Sequence, residues 1–383
     1  MYEGAGTCYA WDGVTFLDLF DADEYAEHRK ENLFYPFASR EEWEVADFLL
    51  HSPLSMAAID QFLGLPMVHV LFTSADMLPK GPNWKCQTIP SLNPTKSPIQ
   101  LFWRDPVEFL ESLFSNPLFY DQLDFVPHRV YTTSVRLLCV YSEWLTSAEL
   151  QDQLSRGATV LGTVLSSDKT NITNMTGARV AHPLLLGLVN IRMSTCTKLS
   201  SRAFLLTALL HIPEYLYPNQ WMWGMLEDRL MHECLSIVLK PLMIAAEIGI
   251  MMSNPVGNVR HCFMPLALYI VNTPEACMLA CVRRKTSLFT LASYLEFGDN
   301  FHHPECTCSI TLEQLDSITV NPNNLEAYFQ ACKEYQLNGV HSPFWKDWPL
   351  ADPSVFLTPE PLHHWHKEFY DHDLQWCLIV VGA

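Results

Sequence analysis

Between residues 222 and 248 apolar side chains recur at spacings of three and four: Met225, Leu226, Leu230, Cys234, Leu235, Val238, Leu239 and Leu242. That period marks a long helix that buries one face. A face of this length needs a broad apolar surface to cover it, and the flanking sequence offers one. Upstream lie three short apolar runs, 158–165, 180–189 and 203–212, the first rich in β-branched residues. Downstream, 263–271 is a fourth run ending at Asn272, and 277–282 makes a short fifth. Three strands, a helix and further strands predict an α/β chain in which sheet and helix cover each other. Runs this short are ambiguous between strand and helix on period alone, 203–212 most of all.

The order strand, strand, strand, helix, strand is also that of the ribonuclease-H-like fold, a mixed sheet with flanking helices. With 383 residues the chain has room for about two packed units around and beyond such a core. Residues 1–77 read as an acidic helical amino-terminal region, in which ten acids from Asp18 to Asp47 face only Arg29, Lys30 and Arg40. Charge of this kind forms a solvated helical face or faces a protein partner. One helix is predicted after Ser39, with Glu42 three residues on as a capping box, and another over 55–63. Pro, Gly, Asn and Lys make 78–105 a linker or long loop. A helical lead-in occupies 106–156, opening with an amphipathic helix over 106–113. The core spans 157–290, and 291–383 is loop-rich and helical, with helices over 324–335 and about 359–376.

Composition narrows the function. Hydrophobic residues make up 49% and charged ones 17%, enough for a core and too apolar for global disorder. Lys and Arg number 24 against 42 Asp and Glu, a net charge of −18. That balance excludes a simple basic DNA-binding domain; any nucleic-acid role needs a local basic patch or metal ions. The start carries Glu3 and no basic stretch, so no secretory signal is read. The longest apolar stretch, 235–252, contains Lys240, Pro241 and Glu247 and reads as a buried helix, so no membrane partner is predicted. Twelve Cys stand singly, as free thiols do in a reducing compartment. The expectation is a soluble intracellular protein.

The chemistry concentrates at Ser166-Ser167-Asp168-Lys169-Thr170, where the first core strand ends. A carboxylate projecting from a rigid strand end is how two-metal phosphoryl-transfer sites hold their first ligand, although such an Asp also serves as a plain turn former. The second acid belongs at the end of the fourth strand, where this chain has Asn272. An amide offers one neutral oxygen and removes a charge from a site meant for divalent cations. His302, His303, Cys306 and Cys308 are potential soft ligands within seven residues, but Cys-x-Cys lacks a second pair at zinc-finger spacing, so a surface loop is the first reading and zinc the second. His363, His364 and His366 read as solvated helix-surface side chains. The chain has no Gly-rich phosphate loop, HExxH or GxSxG, so no organic cofactor is predicted.

Several stretches in one order carry a resemblance. They are Asn32-Leu33-Phe34-Tyr35-Pro36-Phe37-Ala38-Ser39 with Trp43, then Leu54 through Phe62, then Ser166 through Thr170 with Thr173. After them come Val259-Arg260-His261-Cys262, Thr273-Pro274-Glu275, Ala331-Cys332-Lys333-Glu334, Pro343-Phe344-Trp345 and Thr358-Pro359-Glu360-Pro361-Leu362-His363. Together they resemble the Plavaka-type transposases of fungal mobile elements, relatives of the CACTA group. The resemblance implies a DDE-type recombinase with a ribonuclease-H-like core, DNA as partner, a nuclear location, and Mg²⁺ or Mn²⁺ where the enzyme is active. Asp168 matches the first acid and metal ligand. The family's Gly-Asp-Tyr-Pro-Glu segment reads Val271-Asn272-Thr273-Pro274-Glu275 here, so Asn272 replaces the second acid. A family Cys-x-x-Cys falls on Ser287 and Thr290, neither of which substitutes for a zinc-bound thiolate. Glu360 matches an acid of the family's Thr-Pro-Asp-x-Leu-His stretch and is the candidate for a further catalytic acid. These departures imply an element-derived protein that does not cut DNA. The alternative is a domesticated fragment that acts as a DNA- or protein-interaction module, by itself or as a homo-oligomer.

Overall fold

The computed structural model describes residues 4–51, 81–136, 138–140, 154, 156–171, 180–357 and 369–382. Helices α1 (Phe16–Asp21), α2 (Ala26–Glu31) and α3 (Arg40–His51) form the acidic amino-terminal region. At α3 the Ser39 hydroxyl accepts from Glu42 N–H at 3.4 Å, and the Glu42 carboxylate accepts from Ala38 N–H. The helix predicted over 55–63 lies outside the described residues. Ahead of α1 the chain is extended and pairs with the core: Gly6 N–H donates to Ala158 O at 3.0 Å and Tyr9 N–H to Val259 O at 2.9 Å.

The stretch predicted as a linker, 78–105, carries two strands instead, β1 (Lys85–Ile89) and β2 (Ile99–Trp103). Its Pro, Asn and Lys form the connection, while Ile89, Ile99 and Leu101 are buried. Asp105 then caps α4 (Pro106–Phe114): its Oδ1 accepts from Val107 N–H at 3.1 Å, and Pro106 sits where a missing N–H costs nothing.

The core follows as β3 (Thr159–Val160), β4 (Thr163–Ser167), β5 (Pro183–Leu188), β6 (Leu205–Leu209), α5 (Trp223–Ile248), β7 (Ile250–Ser253), β8 (Val259–Phe263), β9 (Leu266–Ile270) and α6 (Thr273–Leu279). A six-stranded sheet has the order β1-β2-β6-β5-β4-β9. Its neighbours are antiparallel except β4 and β9, which are parallel with Ile270 opposite Ser166. A three-stranded sheet, β7-β8-β3, lies beside it.

Two predicted strands are each broken in the structure. The run 158–165 divides around Gly162 and the run 263–271 around Pro265, which has no N–H to give a ladder. Pairing continues across the break, since Leu161 N–H donates to Phe263 O and Thr163 N–H to Pro265 O, both at 2.9 Å. The fifth predicted strand, 277–282, is not a strand: Cys277 to Leu279 complete α6. Ala276, Cys277, Met278 and Leu279 are all buried, so this end of the helix sits inside the core and offers no polar position to betray its period.

All eight apolar positions predicted for the long helix are buried on α5, which joins Leu101, Leu110, Leu165, Leu186 and Tyr269 in one core cluster. Beyond it come α7 (Cys308–Ser317), α8 (Leu325–Cys332) and α9 (Gln375–Val381). Most of the predicted helix over 359–376 lies outside the described residues. Among the described residues no helix is long and apolar enough to cross a membrane.

Candidate functional site

Asp168 leaves the end of β4 and Asn272 the end of β9, each two residues past the Ser166–Ile270 pair. The parallel pairing therefore brings the two side chains together, as the sequence pattern predicts. Asn272 Nδ2 donates to Asp168 Oδ1 at 3.3 Å. Its Oδ1 accepts from Glu275 N–H at 3.0 Å, so Asn272 is also the N-cap of α6. Asp168 is exposed and Asn272 half-buried. Next to them Lys169 Nζ pairs with Glu227 of α5 at 3.4 Å.

Beneath this pair lies a buried polar cluster. Ser167 O–H donates to Glu275 Oε1. Since that proton is committed, Tyr269 O–H donates to Ser167 Oγ at 3.1 Å. His182 Nε2 donates to the same Glu275 oxygen at 3.0 Å. Burial raises the Tyr269 phenol pKa far above its ordinary value, so it remains a donor. The cluster ties β4, β9, the start of β5 and α6 into one rigid platform. Sequence reading did not single out Glu275 as a site residue, although Asn272-x-x-Glu275 is a capping-box signature.

Pro274 lines a cleft of about 350 Å³ together with Asp228, Cys277, Arg283, Arg284, Phe329 and Asn338. Asp228 of α5 accepts from Asn338 Nδ2 at 3.2 Å. Burial pushes its carboxyl pKa up to about 7, against a downward pull from Arg284 and Lys169.

The Plavaka transposase model matches residues 68–377. The chain belongs to the Plavaka transposase family. A comparison with curated proteins finds no match.

In this Plavaka family member the Ser287–Thr290 stretch is a hydroxyl-closed turn. Ser287 Oγ accepts from Phe289 N–H at 3.2 Å and Thr290 N–H at 3.0 Å, and Thr290 Oγ1 accepts from Ala292 N–H at 3.4 Å. Cys306 is buried against Thr311 Oγ1 at 3.7 Å, and burial pushes the thiols of Cys306 and Cys308 up, towards the protonated form that ligates metal poorly. His303 Nε2 lies 3.0 Å from Asp299 instead. Among the described residues no three or more His, Cys, Asp and Glu side chains are grouped to hold a metal ion. Glu360, with His363, His364 and His366, lies outside the described residues. Asp168 is thus the one acid of the predicted set whose surroundings are described, and its visible partner is an amide. Two-metal chemistry needs two or three acids converging on both ions, and the Asp168–Asn272 pair by itself does not fit that demand.

Proposed function

We propose that the chain is a transposase-derived protein built on a ribonuclease-H-like core of the DDE type, and that its strand-cleaving chemistry is lost at Asn272. The core reading is supported by the order β6-β5-β4-β9, with three antiparallel strands, a parallel fourth and the long helix α5 between. The loss of chemistry is carried by one observation: the Asn272 amide donates to Asp168 at 3.3 Å, where a second acid would share a cation with it. DNA as partner and a nuclear location follow from the same reading.

Asn272→Asp tests it, because Asp caps a helix as well as Asn does and the change is nearly isosteric. Without metal, two carboxylates facing each other repel; a divalent ion between them removes the repulsion. Manganese titration by calorimetry should give no measurable binding to the native chain and micromolar binding to the Asn272→Asp protein, abolished by adding Asp168→Ala. Tight binding to the native chain would overturn the inactivity reading, and no binding to the revertant would overturn the placement of the site.

A second reading, an interaction module without chemistry, is favoured by the exposed Leu17, Leu19, Leu33 and Phe48 among the acids of the amino-terminal helices. It predicts that neither protein binds manganese.

A further inference from the structure

Arg283, Arg284 and Lys285 are consecutive and exposed in a chain of net charge −18. From Lys285 the backbone folds back on itself: Tyr294 N–H donates to Lys285 O and Ser287 N–H to Ala292 O, each at 2.9 Å. The following loop ties itself down, with Ser293 N–H and O–H both donating to Glu296 at 2.8 Å and His303 beside Asp299. Those contacts engage Glu296 and Asp299 within the loop and leave Glu305 as a further exposed acid. They leave three rings facing solvent: Tyr294, Phe297 and Phe301 are 54%, 56% and 62% exposed. Lys285 Nζ lies 5.3 Å from the Tyr294 ring, so the run of cations and the run of exposed rings meet at this pair. Arg283 and Arg284 line the cleft that reaches Pro274, two residues from Asn272.

From this surface we infer a binding site for single-stranded nucleic acid. Phosphates lie along Arg283, Arg284 and Lys285, and unpaired bases stack on Tyr294, Phe297 and Phe301. Cations alone would suit any polyanion. Exposed rings beside them select a strand whose bases are free to stack, because a duplex keeps its base faces covered. The site rests on the transposase-derived reading only in taking nucleic acid as the polymer, and it needs neither metal nor Asn272.

The test is fluorescence anisotropy of a labelled oligo-dT of about 20 nucleotides, in EDTA and about 50 mM salt. A hairpin duplex of equal length and poly-glutamate serve as competitors. The native chain should bind oligo-dT more tightly than either. Changing Tyr294, Phe297 and Phe301 to Ala should weaken binding by about tenfold per ring while leaving the salt slope intact. Phe297→Leu keeps the apolar bulk without the ring and should weaken it similarly. Changing Arg283, Arg284 and Lys285 to Ala should lower the slope of log affinity against log salt by about two. All six side chains are exposed, so thermal melts of the variants should superimpose on the native one. Absent oligo-dT binding, equal competition by duplex, or full affinity in the ring variant overturns the proposal. Stronger competition by poly-glutamate overturns it in favour of an acidic protein partner. Because metal is excluded, failure here leaves the manganese result of Asn272→Asp to stand or fall separately.

Discussion

At residue 272 one side chain holds two jobs, capping α6 and satisfying Asp168, and both need an oxygen or an N–H in a fixed place. The buried groups below leave as little slack. Replacing Glu275 by Ala removes the acceptor of both Ser167 and His182, and each buried donor left alone costs about 1–3 kcal/mol. The expected loss is therefore about 2–6 kcal/mol in urea unfolding, with little change if only the exposed Asp168 is replaced. Asp228 and His232 carry opposite pH dependences. His232 accepts from Phe344 N–H at Nδ1 (3.1 Å) and donates from Nε2 to Met278 O (3.0 Å), so it is buried neutral. Burial lowers its pKa to about 4, so the unfolded chain binds the extra proton and stability falls as pH drops from about 6.5 to 4. The Asp228 pKa is raised to about 7, so the folded chain holds the extra proton and stability falls as pH rises from about 4 to 7. Asp228→Asn removes only the second effect. It should match the native chain near pH 4 and exceed it by on the order of 4 kcal/mol at pH 8, read from urea midpoints across that range. At this scale the Asp168–Asn272 pair was legible because strand-end positions follow from strand boundaries. Ser167, His182 and Glu275 were not, because 108 residues separate Ser167 from its acceptor and no local pattern links them.

Among elements, those with chemistry at their ends were legible and those defined by burial were not. Helix α4 follows from the apolar spacing of Val107, Phe109, Leu110 and Leu113 after Pro106, and the structure adds Asp105 as its cap. Asp105→Ala should cost about 1 kcal/mol, whereas Asp105→Asn keeps the cap and loses only the exposed Lys85 pair, a change near zero. Chemical unfolding of the two variants separates these outcomes. Residues 277–282 failed the same reading, since six successive buried positions display no period. The Ser287–Thr290 turn makes a third case. Its hydroxyls close by hydrogen bonds the loop that a thiolate pair would close through metal, and both residue types are ordinary turn formers. Ser287→Ala should leave the global unfolding midpoint within about 0.5 kcal/mol while speeding amide exchange at Phe289 and Thr290.

For the whole molecule the decisive segment is β1–β2, read from composition as a linker and found as the outer part of the six-stranded sheet. Leu101 is fully buried in the core cluster, so Leu101→Ala should lower stability by about 2–5 kcal/mol in a single transition with unchanged denaturant slope. A tether would show no change. The amino-terminal strand-like segment is a second long-range attachment, placing Tyr9 against Val259 across most of the chain. The sequence alone determined the α/β class, the long helix α5, the positions of Asp168 and Asn272 and the family, because periodicity, caps and ordered motifs are written over short windows. Only the tertiary structure decided the sheet order, the helical state of 277–279, the platform under Asp168 and the meeting of Lys285 with the exposed Tyr294 ring. Each of these depends on which distant surfaces exclude water from one another. Pairing across a hundred residues leaves no trace in the local spacing of side chains.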